Sequence, residues 1–247
     1  PNLLRKDTFF KNSFFLTASN ITTGILGFIF SMYLGNIAGP EGLAVYGLVM
    51  PVYNLFICLM TAGIIAAISQ RSAIYESTGE YNNLFKTINT VAFFNIIWSI
   101  IIGILVFFLA PYISKYGIKD PRTLNAIRVT CPAMVFIALS NILKGFFYGT
   151  SRITVPAIID ISEKAMRIIT ITLLIFIFKA QTLSSIVTLA FVSLAIGELQ
   201  SLLLLYAYFK YTKKHMPLGH DIPERKAQLL FNVLIVSLPL CINGFLG

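Results

Sequence analysis

Charge is scarce in this sequence: Asp, Glu, Lys and Arg make up 12% of its 247 residues, about half the share of a typical soluble domain. Cysteine is scarcer still. Cys58, Cys131 and Cys241 stand alone within apolar segments without CxxC spacing, which argues against a disulfide framework or a thiolate metal site and leaves them as small packing residues. No GxSxG, HExxH or phosphate-binding glycine loop occurs, and His215 and His220 have no Cys, Asp or Glu at ligand spacing. Nothing therefore points to a catalytic residue, a metal or a cofactor, and a soluble enzyme is set aside.

What fills the chain is apolar. Hydrophobic residues make up 57% and the mean hydropathy is +0.81, so the natural solvent is the lipid bilayer. A hydrocarbon core about 30 Å thick takes roughly 20 apolar residues in a helix, whose backbone groups bond internally. The apolar runs here have about that length and lack the alternation of barrel strands. The formal charge of +9 does not signal nucleic acid, because the basic residues fall in short loops rather than along one stripe with interleaved aromatics. The aromatic share of 13%, including Phe9, Phe10, Tyr46, Tyr112, Tyr206 and Tyr208, suits interface belts.

Apolar segments fall at about 13–38, 45–70, 88–112, 129–149, 155–178 and 183–209, and another opens near 227. The expected fold is all-α, a polytopic membrane helix bundle with one six-helix lobe and the first helix of a second. Residues 1–209 form the lobe, 210–226 a polar basic linker and 227–247 the start of the seventh helix. Gly39, Pro40, Glu41 and Gly42 predict a tight turn between the first two spans, and Asp120-Pro121 a break before the fourth. Gly244–Gly247 faintly echoes Gly24–Gly27, as a repeated bundle would. No cleavable leader precedes Pro1, and the chain stops within an apolar run at Gly247, so more protein is expected at both ends.

Orientation follows from lysine and arginine, which concentrate in short cytoplasmic loops. With the amino terminus inside, twelve basic residues are cytoplasmic (Arg5, Lys6, Lys11, Arg71, Lys86, Lys144, Arg152, Lys210, Lys213, Lys214, Arg225, Lys226). Five lie outside: Lys115, Lys119, Arg122, Arg128 and Lys179. A cytoplasmic amino terminus is the expectation.

The remaining two basic residues, Lys164 and Arg167, lie within the fifth span beside Asp160 and Glu163, at spacings of three and four that share one helical face. From Ile168 to Phe178 the chain is too short to cross the bilayer, so the span includes these charges. A charge at that depth costs a few kcal/mol or more, which turns the face toward the bundle or a watery cavity. Asp160 with Lys164 and Glu163 with Arg167 form acid-before-base i, i+4 pairs. Glu198 in the sixth span lies at a similar depth. Asp160, Glu163, Lys164, Arg167, Glu198 and Asn20 are thus candidates for a polar cavity taking a headgroup or coupling ion. The competing reading is an ion-pair network that only joins two helices. Asn54, Asn95 and Asn141, with Thr17, Thr22 and Thr23, either line a path or bond helix to helix, the second being the commoner use.

Four motifs in order resemble the polysaccharide-export, stage V sporulation protein B-like branch of the superfamily that also holds multidrug extruders and lipid II flippases. They are Gly39-Pro40-Glu41-Gly42-Leu43-Ala44-Val45-Tyr46-Gly47 with Pro51; Gly63 with Ala67-Ile68-Ser69 and Arg71; Leu143-Lys144-Gly145-Phe146-Phe147-Tyr148-Gly149; and Ile161–Ile168. The resemblance implies a two-lobed transporter flipping a lipid-linked oligosaccharide or peptidoglycan precursor by alternating access, for cell-wall or spore-cortex polysaccharide. Beside the lipid bilayer that the composition already requires, it implies two partners: a lipid-linked sugar and a carboxy-terminal lobe missing here. One departure is that residues 17–36 carry no basic side chain where those proteins often place arginines suited to pyrophosphate. A cation-coupled multidrug extruder, a membrane-embedded glycosyltransferase and a non-transporting scaffold in envelope assembly are the alternatives. Short connections between spans speak against the glycosyltransferase.

Overall fold

The computed structural model describes residues 2–61 and 63–246, with side chains for residues 12–61, 63–237 and 239. The side chains of Cys241 and of the Gly244–Gly247 echo fall outside that set. Every long element is an α-helix: α1 Asn2–Thr61, α2 Ile64–Thr78, α3 Tyr81–Tyr112, α4 Leu124–Gly149, α5 Thr154–Phe178, α6 Leu183–His215 and α7 Lys226–Leu246.

The first two expected spans are both in α1, which has 60 residues and breaks at Gly39 (φ 70°, ψ 179°). Pro40 causes the break: its ring disfavours helical geometry in the residue before it, and glycine alone takes this positive φ without strain. The chain reverses there. Phe30 and Tyr46 are sixteen residues apart, yet their ring centroids are 5.9 Å apart, against about 24 Å along a straight helix at 1.5 Å per residue. The second expected span, 45–70, is split in turn between the end of α1 and α2. Gly63 (φ 70°, ψ −5°) makes that joint, and its carbonyl accepts from the Ala67 amide at 2.9 Å. Asp120 caps the short turn before α4 by accepting from the Arg122 amide, as the Asp-Pro break predicts. The Arg122 side chain, donating to the Asp120 carboxylate, is the main reason that carboxyl is held below its ordinary pKa.

Two sets of loops mark two ends of the bundle. At one end Asn12 reaches the Ser151 carbonyl, Arg152 pairs with Glu76 at 3.0 Å, and Asn82 bonds to Gly219 and Asp221. At the other, Arg122 reaches Glu41 at 3.2 Å and Ser184 donates to the Arg122 carbonyl. The loops alternate as antiparallel spans require.

α4 is the central helix, packed against α1, α2, α3 and α6. Small residues bring it close: a Cβ on Gly145 would come within 2.8 Å of the Ile65 carbonyl, and one on Gly149 would collide with Ser69 and Ser72 of α2. Polarity is inverted relative to a soluble protein. Phe14, Phe28, Phe93, Phe108 and Phe176 face outward, whereas Asn95, Ser99, Ser140, Glu163, Arg167 and Glu198 are buried. The outer surface thus suits lipid, and the chain is a multi-pass membrane-helix bundle. Four described stretches are long and apolar enough to cross a membrane: Asn12–Thr78, Tyr81–Ile118, Pro121–Gly149 and Leu183–His215. α5, at 25 residues, has the length. It carries four charges, Asp160, Glu163, Lys164 and Arg167, all in its first 14 residues. α7 packs its Leu229 and Val233 against α2 and α3.

Candidate functional site

Three mid-chain helices and α1 enclose a small polar cavity. Thr23 of α1, Lys144 of α4, Asp160, Glu163 and Lys164 of α5, and Glu198 and Ser201 of α6 line about 170 Å³. That volume holds only a handful of waters at roughly 30 Å³ each and is below the roughly 300 Å³ of the smallest usual ligand pockets. In this state the cavity suits water, an ion or one polar corner of a larger ligand.

The charges do not pair as their spacing suggests. Asp160 turns from Lys164 to the neighbouring helix, where Lys144 Nζ lies 2.7 Å from its carboxylate. Lys164 instead meets Glu163 at 2.8 Å. Glu163 is 4% exposed and its second oxygen is unpartnered among the described residues. Gly197 makes room for it: a Cβ there would approach Glu163 Oε1 to 3.0 Å. Glu198, also buried, has no cation within ion-pair distance among the described residues. The lining thus holds three acids and two ammonium groups.

Arg167 is elsewhere. Its guanidinium donates to the Tyr46 hydroxyl and lies 4.2 Å from the ring centroid of Phe30. Tyr46 in turn stacks on Phe191 of α6, with centroids 4.9 Å apart. Phe30 and Tyr46 stand on opposite sides of the Gly39 break, so Arg167 ties both limbs of α1 to α5 through an aromatic cage. Arginine's flat, weakly hydrated cation suits that stacking.

Of the six residues singled out in the sequence, Asp160, Glu163, Lys164 and Glu198 share the cavity. Arg167 is in the cage, and Asn20 is exposed, with Thr23 on the cavity instead. Other polar groups serve as interhelical bonds: Asn95 donates to the Met60 carbonyl and Ser19 to the Ala157 carbonyl, both at 3.0 Å. Lys144, which the orientation argument places among the loop cations, stands on the cavity wall. The available signal was its place inside the apolar run 129–149, where an ammonium group needs a partner.

Comparisons with known proteins extend over nearly the whole chain. Stage V sporulation protein B of Bacillus subtilis (strain 168) is 28% identical over 246 residues, 99% of this chain and 48% of that protein. Lipid II flippase MurJ of the same organism is 24% identical over 215 residues, 82% of this chain and 39% of that one. The chain spans about half the length, or less, of these relatives. A crystal structure of MATE in the bent conformation shares the fold, with a TM-score of 0.71 at 19% identity, over 97% of this chain and 53% of that one. A family model described as polysaccharide biosynthesis protein matches residues 9–247, and with the four motifs in their expected places on the helices, this chain belongs to that family.

Proposed function

We propose that this chain is the amino-terminal lobe of a flippase that passes the polar headgroup of a lipid-linked oligosaccharide or peptidoglycan precursor across the membrane by alternating access. The observation that carries the reading is the charged cavity at mid-helix between α4, α5 and α6. Charges at that depth are costly, and a water-accessible path for a polar group is what makes use of them. The relatives named as a sporulation protein and a lipid II flippase support a cell-wall or spore-cortex precursor as cargo. Residues 1–209 are the lobe, 210–226 the linker, whose first six residues continue α6 as helix, and 227–247 the opening of a second lobe, and the amino terminus is cytoplasmic. The cavity is too small for a whole headgroup, so the cargo occupies the space between the lobes and meets these charges from one side. Transport of this kind needs only different affinities in two conformations, without covalent chemistry.

One observation favours a second reading. Acids outnumber bases on the cavity wall, which suits a cation better than a pyrophosphate and fits a cation-coupled extruder. Translocation of a fluorescent lipid-linked oligosaccharide in vesicles, with full-length protein beside Glu163→Ala, Lys164→Ala and Glu198→Gln variants, separates the two. The flippase reading expects headgroup movement that falls at least tenfold in variants that still fold. Wild type that moves no lipid-linked sugar but binds organic cations through Glu163 and Glu198 would support the extruder.

A further inference from the structure

At the end of the bundle that holds the α2–α3 turn and the linker, a groove of about 550 Å³ opens between α3, the end of α6 and the start of α7. Lys86, Lys213 and Lys226 stand on its walls. A second hollow of about 420 Å³ adjoins it, sharing Asn82, Phe85 and Lys213 and adding Lys210 and Lys214. Among the described residues none of these five ammonium groups has a carboxylate within ion-pair distance. Lys86 donates to the Glu224 carbonyl at 2.6 Å, Lys213 lies 5.1 Å over the Phe85 ring and Lys210 4.8 Å over Tyr206. Two carboxylates beside the groove, Asp221 and Glu80, are engaged with other donors. Both Asp221 oxygens accept from the backbone amides of Asn82 and Asn83, and Glu80 accepts from the Asn83 side chain.

We propose that this groove binds the headgroup of an anionic phospholipid, with the phosphodiester among Lys86, Lys213 and Lys226 and the acyl chains along α3. The shape of the groove selects an amphiphile. Asn82, Lys86, Asn89 and Phe93 all line it and follow one another at spacings of four, three and four, which places them on one face of α3. At 1.5 Å per residue the row is about 16 Å long. It passes from amide and ammonium groups at the helix end to an aromatic ring that is 68% exposed. A free phosphate would use only the upper end of that row; a phospholipid uses all of it.

The linker adds an independent mark of the bilayer surface. Leu218 and Ile222 are 87% and 90% exposed on the connection between α6 and α7, and Leu218 lines the second hollow with Lys210, Lys213 and Lys214. Apolar side chains flanked by lysines are the signature of segments that rest in the headgroup layer. The site shares no residue with the α4–α6 cavity, so it acts on where and how firmly the bundle is seated rather than on the cargo path. Basic clusters at a membrane end attract anionic lipid strongly enough that three lysines favour it over neutral lipid by on the order of a hundredfold at low salt.

Native mass spectrometry of the full-length protein, released from micelles doped with phosphatidylglycerol and phosphatidylcholine, tests this. Wild type is expected to retain phosphatidylglycerol in preference to phosphatidylcholine. A Lys86→Ala/Lys213→Ala/Lys226→Ala variant loses that preference by on the order of a hundredfold. A Lys115→Ala/Lys119→Ala/Lys179→Ala variant, with the same charge removed from the opposite end, keeps it. Unchanged helical circular dichroism in both variants separates lipid loss from misfolding. No preference in wild type, or equal loss in the two variants, overturns the proposal. So does displacement of phosphatidylglycerol by equimolar inorganic phosphate, which would make the groove a free-anion site.

Discussion

Lys144 on α4 reaches across to Asp160 on α5 at 2.7 Å, although Lys164 is one turn from Asp160 on its own helix. Their side chains are 15% and 29% exposed, so the pair is mostly desolvated and each charge depends on the other. Removing one partner strands the second, which costs 3–5 kcal/mol at fully buried sites and about 2 kcal/mol after allowance for this exposure. Asp160→Ala and Lys144→Ala are each expected to lower thermal stability by about that much. The double variant recovers most of the loss, within about 1 kcal/mol of wild type. A double-mutant cycle from thermal melts in detergent measures the coupling directly.

Arg167 separates a structural from a substrate-contacting role by a conservative swap. In the cage, the Tyr46 hydroxyl accepts from the guanidinium while Phe30 covers its face. Lysine keeps the charge but loses the planar stacking and the directed donor. Arg167→Lys is therefore expected to melt several degrees lower, and Tyr46→Phe to cost about 1–2 kcal/mol through an unsatisfied buried donor. Transport in both falls only as far as folded protein is lost. If Arg167→Lys melts like wild type and still transports nothing, the guanidinium meets cargo and the cage is incidental.

The sequence made the helices legible because each apolar run is as long as the bilayer is thick, and turn residues such as Gly39-Pro40 and Asp120-Pro121 mark the reversals. Two things were hidden. The joint at Gly63 lies inside an uninterrupted apolar stretch, where glycine alone does not distinguish a bend from a packing contact. The pairing of the charges was hidden too, because i, i+4 spacing describes one helix at a time. Asp160 finds its counter-charge in the Lys144 ammonium group on α4, and Arg167 finds aromatic rings from both limbs of α1. That Glu163 and Glu198 approach one cavity was readable from depth, since both lie in corresponding halves of consecutive antiparallel spans. That Asn20 points elsewhere was not, because rotation of a helix about its axis is set by neighbours the sequence does not name.

Close approach of α2 and α4 depends on two glycines one turn apart. A Cβ on Gly145 would lie 2.8 Å from the Ile65 carbonyl and 3.0 Å from Ile68 Cβ, and at Gly149 it would strike backbone of Ser69. Neither backbone can yield without moving α2, so overpacking costs of about 1–3 kcal/mol each apply. Gly149→Ala is expected to be the worse of the two. Gly27→Ala on α1, with nothing within 4 Å of its new methyl, is the matched control and leaves the melting temperature within about a degree, or slightly raises it through helix propensity.

Asp221 predicts how firmly the linker is held. Its carboxylate accepts from the Asn82 and Asn83 amides at 3.0 and 2.7 Å, capping α3 from a segment 138 or 139 residues away. Asn83 returns the contact by accepting from the Glu224 amide at 2.9 Å. Gly219 is needed beneath it, since a Cβ would approach the Asn82 amide nitrogen to 2.6 Å. The clasp turns a polar connector into an ordered strap between α6 and α7. Losing a helix cap costs about 1 kcal/mol, and local opening of the strap and of the last turn of α6 exposes the basic bonds at Lys213, Lys214 and Arg225 before the bundle itself unfolds. Asp221→Ala is expected to speed tryptic cleavage in the linker severalfold while the global melt moves little. Cleavage at the wild-type rate in Asp221→Ala would mean that the contacts of Asn83 and Lys86 with Glu224 hold the strap unaided.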